Sequence, residues 1–247
     1  GGVIVTIRTM DKPRIVAVTP TYNERDNLPI LAEKIFSLGI HNLELIVVDD
    51  NSPDGTGQLA EELAQKYPVK VVHRPEKRGL GTAYVEAFKI ILKSQSPTDY
   101  IIQIDADLSH DPAVIPMMIK KVGECDLVLG SRYIRGGGVE NWNFTRRLIS
   151  RFGNIYARFI LGMPIYDMTG GFKCYRREVL EKINLDSLSS VGYNFQIETT
   201  YRVYRLGYKV REIPIIFKER KVGVSKFNLG IILESFFKVL ILRFRGR

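Results

Sequence analysis

Five short apolar runs, each followed by a stretch of helical periodicity, fill the first half of this chain. No other feature narrows its fold as far. The runs cover residues 14–19, 43–48, 69–73, 100–104 and 126–130. Runs of that length bounded by turn residues read as buried strands, and strands alternating with helices call for a mostly parallel sheet covered on both faces. Pro20-Thr21-Tyr22-Asn23-Glu24 ends the first run. Asp26 or Asn27 is a candidate cap for the helix after it, with Pro29 in the first turn and Leu31, Ile35, Phe36 and Leu38 on its apolar face. Further helices are expected up to Tyr67 and over about 82–93. A chain of 247 residues with 45% apolar content suits one large domain, or one domain with an appendage.

The fourth run ends in acid, as Ile104-Asp105-Ala106-Asp107-Leu108-Ser109-His110. Residues i and i+2 of an extended backbone point the same way, so Asp105 and Asp107 can face one point in space. Two like charges held there repel, and a hard divalent cation such as Mg²⁺ or Mn²⁺ relieves the repulsion. An isolated Asp-x-Asp is more often a solvated turn. This one follows a strand of an open α/β sheet, where ligands bind beyond the carboxyl ends. His110 reads as structural. His110-Asp111-Pro112 opens the next helix, with Asp111 as its cap.

Gly55-Thr56-Gly57-Gln58-Leu59-Ala60 matches the loose dinucleotide pattern G-x-G-x-x-A. It follows the second strand instead of the first, and Asp49, Asp50 and Asp54 precede it. Carboxylates repel a pyrophosphate, so the stretch reads as a turn into a helix. Cys125 and Cys174 make neither a disulfide framework nor a zinc spacing, which points to a reducing compartment. No signal peptide is legible in the first twelve residues.

The net charge of +9 is confined to the end of the chain. From Thr200 onward there are twelve Lys/Arg and three acids, while residues 1–199 balance. Such asymmetry points to an anionic partner. Earlier, Arg132, Arg135, Arg146, Arg147, Arg151 and Arg158 face a single acid, Glu140. Over about 145–162 apolar residues recur at helical spacing between those arginines, which fits either a surface helix docked on the core or a basic helix at a membrane interface. A helix is read over 194–206 and an edge-like strand over 209–217. The last helix, from Phe227 to about Phe244, is apolar around most of its circumference. It is too short to span a bilayer, which needs ~20 apolar residues. Core packing, a membrane interface and a transmembrane partner all fit it, and Lys226, Arg243, Arg245 and Arg247 favour the last two.

The ordered set Pro20-Thr21-Tyr22-Asn23-Glu24, Val47-Val48-Asp49-Asp50-Asn51-Ser52-Pro53-Asp54-Gly55-Thr56, Asp105-Ala106-Asp107-Leu108-Ser109-His110 and Gly130-Ser131-Arg132-Tyr133 resembles the GT-A glycosyltransferases of family 2. Within that family it is similar to the dolichol-phosphate (polyprenol-phosphate) mannose synthases. This narrower likeness rests on Arg78-Gly79-Leu80-Gly81-Thr82-Ala83-Tyr84, on Gly136-Gly137-Gly138-Val139-Glu140-Asn141-Trp142, on Arg146-Arg147-Leu148-Ile149-Ser150-Arg151, and on Arg220, Gly223, Ser225 and Lys226.

The resemblance implies a GT-A (Rossmann-like) catalytic domain over 12–226, with a basic interface helix at about 145–162. It implies a membrane-associating amphipathic helix over 227–247. The implied reaction is inverting transfer of mannose from GDP-mannose to dolichyl or polyprenyl monophosphate. Pro20, Tyr22, Glu24, Val48 and Asp50 would hold the guanosine, and Asp105 and Asp107 a Mg²⁺ or Mn²⁺ ion, with the Ala106 backbone nearby. Some members carry Gln where this chain has Ser109, a shorter and weaker ligand. Arg132, Arg146 and Ser150 would bind the acceptor phosphate, and Arg220 and Lys226 would close over the donor; Asp107, Arg132 and Arg220 are the residues closest to the chemistry. The chain would sit on the cytoplasmic face of a membrane, through its amphipathic helices or a small transmembrane partner.

The chemistry is self-consistent. A cation and arginines can stabilise a departing diphosphate, and an acceptor that is already an anion needs no general base. Two rival readings are a polyprenyl-phosphate glucosyl- or aminosugar transferase of the same fold and a nucleic-acid-binding module built on the basic tail. The second is disfavoured because the basic residues alternate with large aliphatics instead of exposed aromatics and Gly.

Overall fold

In the computed structural model, which describes residues 12–188, 192–219 and 229–245, the five runs form strands β1 (Ile15–Thr21), β2 (Leu43–Asp49), β3 (Val69–His73), β4 (Tyr100–Gln103) and β5 (Leu127–Ser131). Helices α1 (Leu28–Phe36), α2 (Thr56–Lys66), α3 (Leu80–Lys93) and α4 (Ile115–Val122) connect them. β6 (Gly138–Glu140), α5 (Phe144–Leu161), β7 (Lys173–Arg176), α6 (Arg177–Lys182), α7 (Tyr193–Arg205), β8 (Val210–Pro214), β9 (Ile216–Lys218) and α8 (Leu229–Arg245) follow. The main sheet has seven strands in the order β3-β2-β1-β4-β7-β5-β8, and β6 pairs with β9 in a two-stranded sheet. All neighbours in the main sheet run parallel except β7, which is antiparallel to both β4 and β5.

The alternation of side chains along each strand divides the core in two. Val16, Val18, Ile101, Leu127 and Leu129 point to the face covered by α3, α5, α6, α7 and α8. Ile15, Ala17, Ile102 and Val128 point to the face covered by α1, α2 and α4. The strands are buried on both faces, hence their continuous apolar runs. Cys125 and Cys174 are buried and unbridged.

Two local expectations change. Asn27 stands at the N-cap of α1 but its side chain makes no cap bond; its amide donates to Glu24 Oε2 at 2.8 Å, and the Glu24 carbonyl accepts from the amides of Asn27 and Leu28. The single strand expected over 209–217 is two strands. β8 extends the main sheet beside β5; the chain then leaves it at Ile215, whose amide donates to Ser131 while its carbonyl accepts from Gly138. The last helix begins at Leu229 within the described residues. It packs on α5 and α7, with Val239 buried in the core, so core packing holds for one side of it. Asp111 does cap the turn before α4, accepting from the Ala113 amide at 3.1 Å.

β7 was not anticipated, and it brings a lysine into the core. Lys173 is fully buried, and its Nζ donates to the Gln196 carbonyl and to Thr199 Oγ1, both at 2.9 Å. Burial pushes its ammonium well below the ordinary lysine range, with Asp167 pulling the other way. The folded protein therefore holds fewer protons than the unfolded chain at this site, and stability contributed here rises with pH up to the ordinary lysine value of about 10.4. Chemical denaturation of Lys173→Met at about pH 7 and about pH 9 checks this. The stability difference between variant and wild type should shift toward wild type as pH rises; a difference independent of pH would show the amine to be charged in the fold.

Candidate active site

β4 delivers the acidic turn to the carboxyl edge of the sheet. Its last residue is held on three sides: Gln103 Nε2 donates to the Gly171 carbonyl at 3.0 Å and to Gln196 Oε1 at 2.7 Å, and Tyr175 Oη donates to Gln103 Oε1 at 3.3 Å. Asp105 follows. Its Oδ1 accepts from Tyr84 Oη at 3.0 Å, and its amide donates to His110 Nδ1 at 3.3 Å. An accepting Nδ1 places the imidazole proton on Nε2. His110 is buried, stacked on Phe172 at 5.1 Å and edge-on to Phe217 at 5.5 Å. It braces the turn, in line with the structural reading.

Asp107 Oδ1 accepts from the Ser109 amide at 3.0 Å and from Ser109 Oγ at 2.5 Å. Ser109 thus orients Asp107, its hydroxyl turned to the carboxylate and not outward as a third ligand. Leu108 between them has φ of 61°, a left-handed conformation costly for a branched residue, so the turn is held against local strain. Among the described residues no third His, Cys, Asp or Glu completes a metal cluster with this pair. Two carboxylates alone fit Mg²⁺ or Mn²⁺, which takes one or two from protein and the rest from substrate phosphate and water.

The neighbouring strand ends carry the residues assigned to a nucleoside. Asp49 Oδ1 accepts from Thr21 Oγ1 at 2.9 Å and Ser52 Oγ at 2.6 Å, which ties the end of β2 to β1. Asp50 is buried and fully engaged: Oδ1 pairs with Arg74 at 2.5 Å and Oδ2 accepts from the Gly79 amide at 3.0 Å. Pro20 and Val48 are buried beneath the same edge. Tyr22 is exposed, with the Lys77 ammonium 3.4 Å from its ring centre. The Glu24 amide donates to Thr56 Oγ1 at 3.0 Å, linking it to the start of α2. There Gly57 packs on a carboxylate: a Cβ would lie 3.1 Å from Asp49 Oδ2. The G-x-G-x-x-A stretch is therefore a tight helix entry, as expected.

A basic cluster follows β5. Arg132 is buried; its Nε and Nη2 donate to the two Asp167 oxygens at 2.7 and 2.6 Å, and Nη2 also to Thr169 Oγ1 at 2.7 Å. Gly137 folds over this point, where a Cβ would meet the Ser131 carbonyl at 2.5 Å. The guanidinium carbon of Arg132 lies 5.6 Å from the Trp142 ring, and that of Arg146 lies 4.2 Å from the same ring. Ser150 Oγ is 2.6 Å from Tyr133 Oη, beside Arg132. The fold thus gathers Arg132, Arg146 and Ser150 around Tyr133 and Trp142. Arg146 also pairs with Glu219. The amide of Lys218 donates to the Ser109 carbonyl at 3.1 Å, which joins the basic cluster to the acidic turn. Arg220 and Lys226 lie outside the described residues.

Several residues that shape the site were passed over in the sequence: Tyr84 on α3, Asp167, Glu212 and Glu219. Tyr84 stands in a motif singled out above, and the Gly170-Gly171 pair after Asp167 is a turn signal that could have drawn attention to it. Glu219 carried no local signal.

A family model described as glycosyl transferase family 2 matches residues 16–184. The chain is 45% identical over 237 residues to the polyprenol monophosphomannose synthase of Mycolicibacterium smegmatis, covering 95% of this chain and 88% of that protein. It is 41% identical over 223 residues to the undecaprenyl-phosphate mannosyltransferase of Micrococcus luteus, covering 90% of each. Among solved structures, glucosyl-3-phosphoglycerate synthase from Mycobacterium tuberculosis in complex with Mn²⁺, UDP-glucose and phosphoglyceric acid superposes with a TM-score of 0.68 at 19% identity, over 94% of this chain and 79% of that one. A mannosyltransferase from Pyrobaculum calidifontis in complex with GDP-Man and Mn²⁺ superposes with a TM-score of 0.63 at 20% identity, over 96% and 64%. These two likenesses establish the GT-A type of fold.

Burial drives the Tyr84 phenol well above its ordinary pKa, and the Asp105 carboxylate adds to the shift, so the hydroxyl is a permanent donor to Asp105. Groups that orient a ligating carboxylate typically contribute 10–100-fold to metal affinity or activity. Tyr84→Phe should weaken Mn²⁺ binding, measured by calorimetry, by about tenfold with little change in thermal stability. Unchanged Mn²⁺ affinity would reduce the Tyr84 bond to a packing detail.

Proposed function

The chain belongs to glycosyl transferase family 2, and on that premise we propose that it transfers mannose from GDP-mannose to a polyprenyl or dolichyl monophosphate, with inversion, leaving a β-linked mannosyl phosphate lipid. The 41–45% identity to enzymes named for polyprenol- and undecaprenyl-phosphate mannosylation supports the sugar and the acceptor. The observation that carries the reading is a two-carboxylate turn joined to an arginine-framed tryptophan through the Lys218 amide and Ser109 carbonyl. A diphosphate donor needs the first and an anionic acceptor the second.

In this reading Asp105 and Asp107 hold Mg²⁺ or Mn²⁺, which when bound offsets the charge that develops on the departing diphosphate. Tyr22, Glu24 and Asp50, over Pro20 and Val48, shape the nucleoside end, with the Ala106 backbone beside the diphosphate. Arg146 and Ser150 hold the acceptor phosphate, Arg146 as a fork matched to its oxygens. Arg132 lines the same pocket and sets its shape through Asp167. Arg220 and Lys226 close over the donor. The acceptor oxygen is already anionic, so no side chain has to remove a proton, which agrees with His110 being spent on holding the turn.

Labelled GDP-mannose with a short polyprenyl phosphate tests the reaction, with GDP and UDP as competitors to identify the donor base. Asp107→Asn should lower turnover by about 100-fold or more, and EDTA should silence the wild type until Mg²⁺ or Mn²⁺ is restored. Arg146→Ala should raise the KM for the lipid phosphate and leave that for GDP-mannose nearly unchanged. Arg132→Ala is a poor probe, because it strands the Asp167 carboxylate in the core at a cost of about 3–5 kcal/mol. Full activity in EDTA after exhaustive dialysis would remove the metal from the scheme.

The surface beside the pocket fits a membrane. Phe144, Leu148, Phe152, Ile155 and Phe159 form an exposed stripe along α5, with Phe159 at 83% exposure. Phe237, Ile241 and Phe244 of α8 are exposed as well. The two helices pack through Phe236, whose ring is 4.4 Å from that of Tyr156 and 6.4 Å from that of Phe152. Arg147, Arg151 and Arg243 are exposed on the same helices. Apolar stripes with basic neighbours favour an anionic interface, and the acceptor's chain resides in a bilayer. No helix among the described residues is long and apolar enough to cross one. The cytoplasmic face is the proposed side, since sugar nucleotides are supplied there.

Deleting α8 would strip the core around Val239, so point changes are the cleaner test. Phe152→Asp with Phe159→Asp should abolish binding to anionic vesicles, and transfer to vesicle-embedded acceptor should fall while transfer to a short soluble prenyl phosphate persists. Vesicle binding by the double variant would place the lipid contact on another surface of the protein.

A further inference from the structure

The arginine assigned to the acceptor phosphate already holds an anion. Arg146 Nη1 is ion-paired with the Glu219 carboxylate, the two side chains being 15% and 32% exposed. This is a contact across 73 positions of sequence. Glu219 reaches it from a fixed base: the preceding residue, Lys218, closes β9 and donates its amide to the Ser109 carbonyl of the acidic turn. Lys218 and Glu219 together therefore link the acidic turn to the arginine of α5. An acceptor phosphate attacking a sugar held at that turn has to approach the same link.

A second observation concerns Trp142. The ring is buried under the Arg146 guanidinium, and its Nε1 has no hydrogen-bond partner among the described residues. A buried indole N–H without an acceptor is costly and is usually matched by a ligand or by water. The guanidinium that pairs with Glu219 lies 4.2 Å from the centre of this ring, so the indole is a direct neighbour of the pair.

We propose that Glu219 is a specificity-determining residue that occupies the acceptor-phosphate position on Arg146 and is displaced by the phosphate. The exchange needs no bond-making. Arg146 passes from a carboxylate of one negative charge to a phosphate of up to two, with an additional oxygen available to the Trp142 indole. A phosphate monoester carries about −1.5 to −2 charge at neutral pH and wins the exchange, whereas carboxylates and neutral alcohols do not. Binding is weaker than an unopposed arginine would allow, and the site is closed to less charged lipids.

The proposal rests on Arg146 being an acceptor residue, and the experiment separates the two. Steady-state kinetics with GDP-mannose and a short prenyl phosphate would be run on wild type, Glu219→Gln, Arg146→Ala and the double variant, with Glu219→Ala as a second change at the same place and melting curves as a check on folding. Glu219→Gln should lower the acceptor KM about threefold to tenfold, the scale of losing one partly exposed ion pair, with donor KM changed less than about twofold. Inorganic phosphate should inhibit the Gln variant more strongly than wild type by a similar factor. In the Arg146→Ala background, Glu219→Gln should have no further effect on acceptor KM. An acceptor KM that is unchanged or raised in both Glu219 variants, while Arg146→Ala raises it, would overturn the proposal and leave the acceptor assignment standing. No effect of Arg146→Ala on acceptor KM would remove the assignment and the proposal together.

Discussion

The Arg132–Asp167 ion pair organises the basic half of this molecule. Both groups are buried, and a buried pair is tolerated only when its geometry is good and its remaining donors and acceptors are satisfied. Here the guanidinium meets the carboxylate edge-on through two nitrogens, Thr169 takes a further bond, and the Arg132 amide donates to the same carboxylate at 2.9 Å. The loop carrying Asp167 is itself pinned. Glu212 of β8 accepts from the amides of Tyr166 and Asp167, and Asn154 of α5 accepts from those of Met168 and Thr169. One ion pair thereby ties β5, β8, α5 and the approach to β7 into a single unit. The placing of Arg146 and Ser150 on α5 follows from it.

Three pairs of opposite charge frame the site. Asp50 has Arg74, Arg132 has Asp167, and Arg146 has Glu219. Stranding any of these in a poorly solvated cleft would cost several kcal/mol. The first two pairs are nearly closed to solvent and act as framework. The third is more open to solvent. The difference in exposure separates charges sealed into the fold from a pair that solvent reaches, a distinction that residue type alone does not make.

α8 illustrates a second division of labour. In sequence it is apolar around most of its circumference, which left core, membrane and partner all open. The fold gives one side to the core through Val239 and to α5 through Phe236, and leaves Phe237, Ile241 and Phe244 outward. Such a helix needs two apolar environments, and only one is inside the protein. α5 meets the same condition from the opposite side of the contact, and so the two helices share one exposed apolar face.

Much of this is legible in the sequence. Strands β1 to β5, their helices and the acidic turn follow from short-range rules: alternation of apolar residues, caps at Asp111 and turns at Pro and Gly, and the i, i+2 spacing of Asp105 and Asp107. Each depends on residues within a few positions of one another, so the chain states them directly. The gathering of Arg132, Arg146 and Ser150 was also anticipated, through family likeness. What the tertiary structure decided was everything set by long-range contact. β7 enters antiparallel between β4 and β5 because its register is made by partners on both sides. Tyr84 reaches Asp105 across 21 positions, Asp167 reaches Arg132 across 35, and Glu219 reaches Arg146 across 73. A side chain's counter-charge is chosen by proximity in space, and no local pattern encodes it. The sequence alone determined where the acids and arginines stand along the chain; only the fold decided which of them neutralise each other and which pairs stay open to solvent.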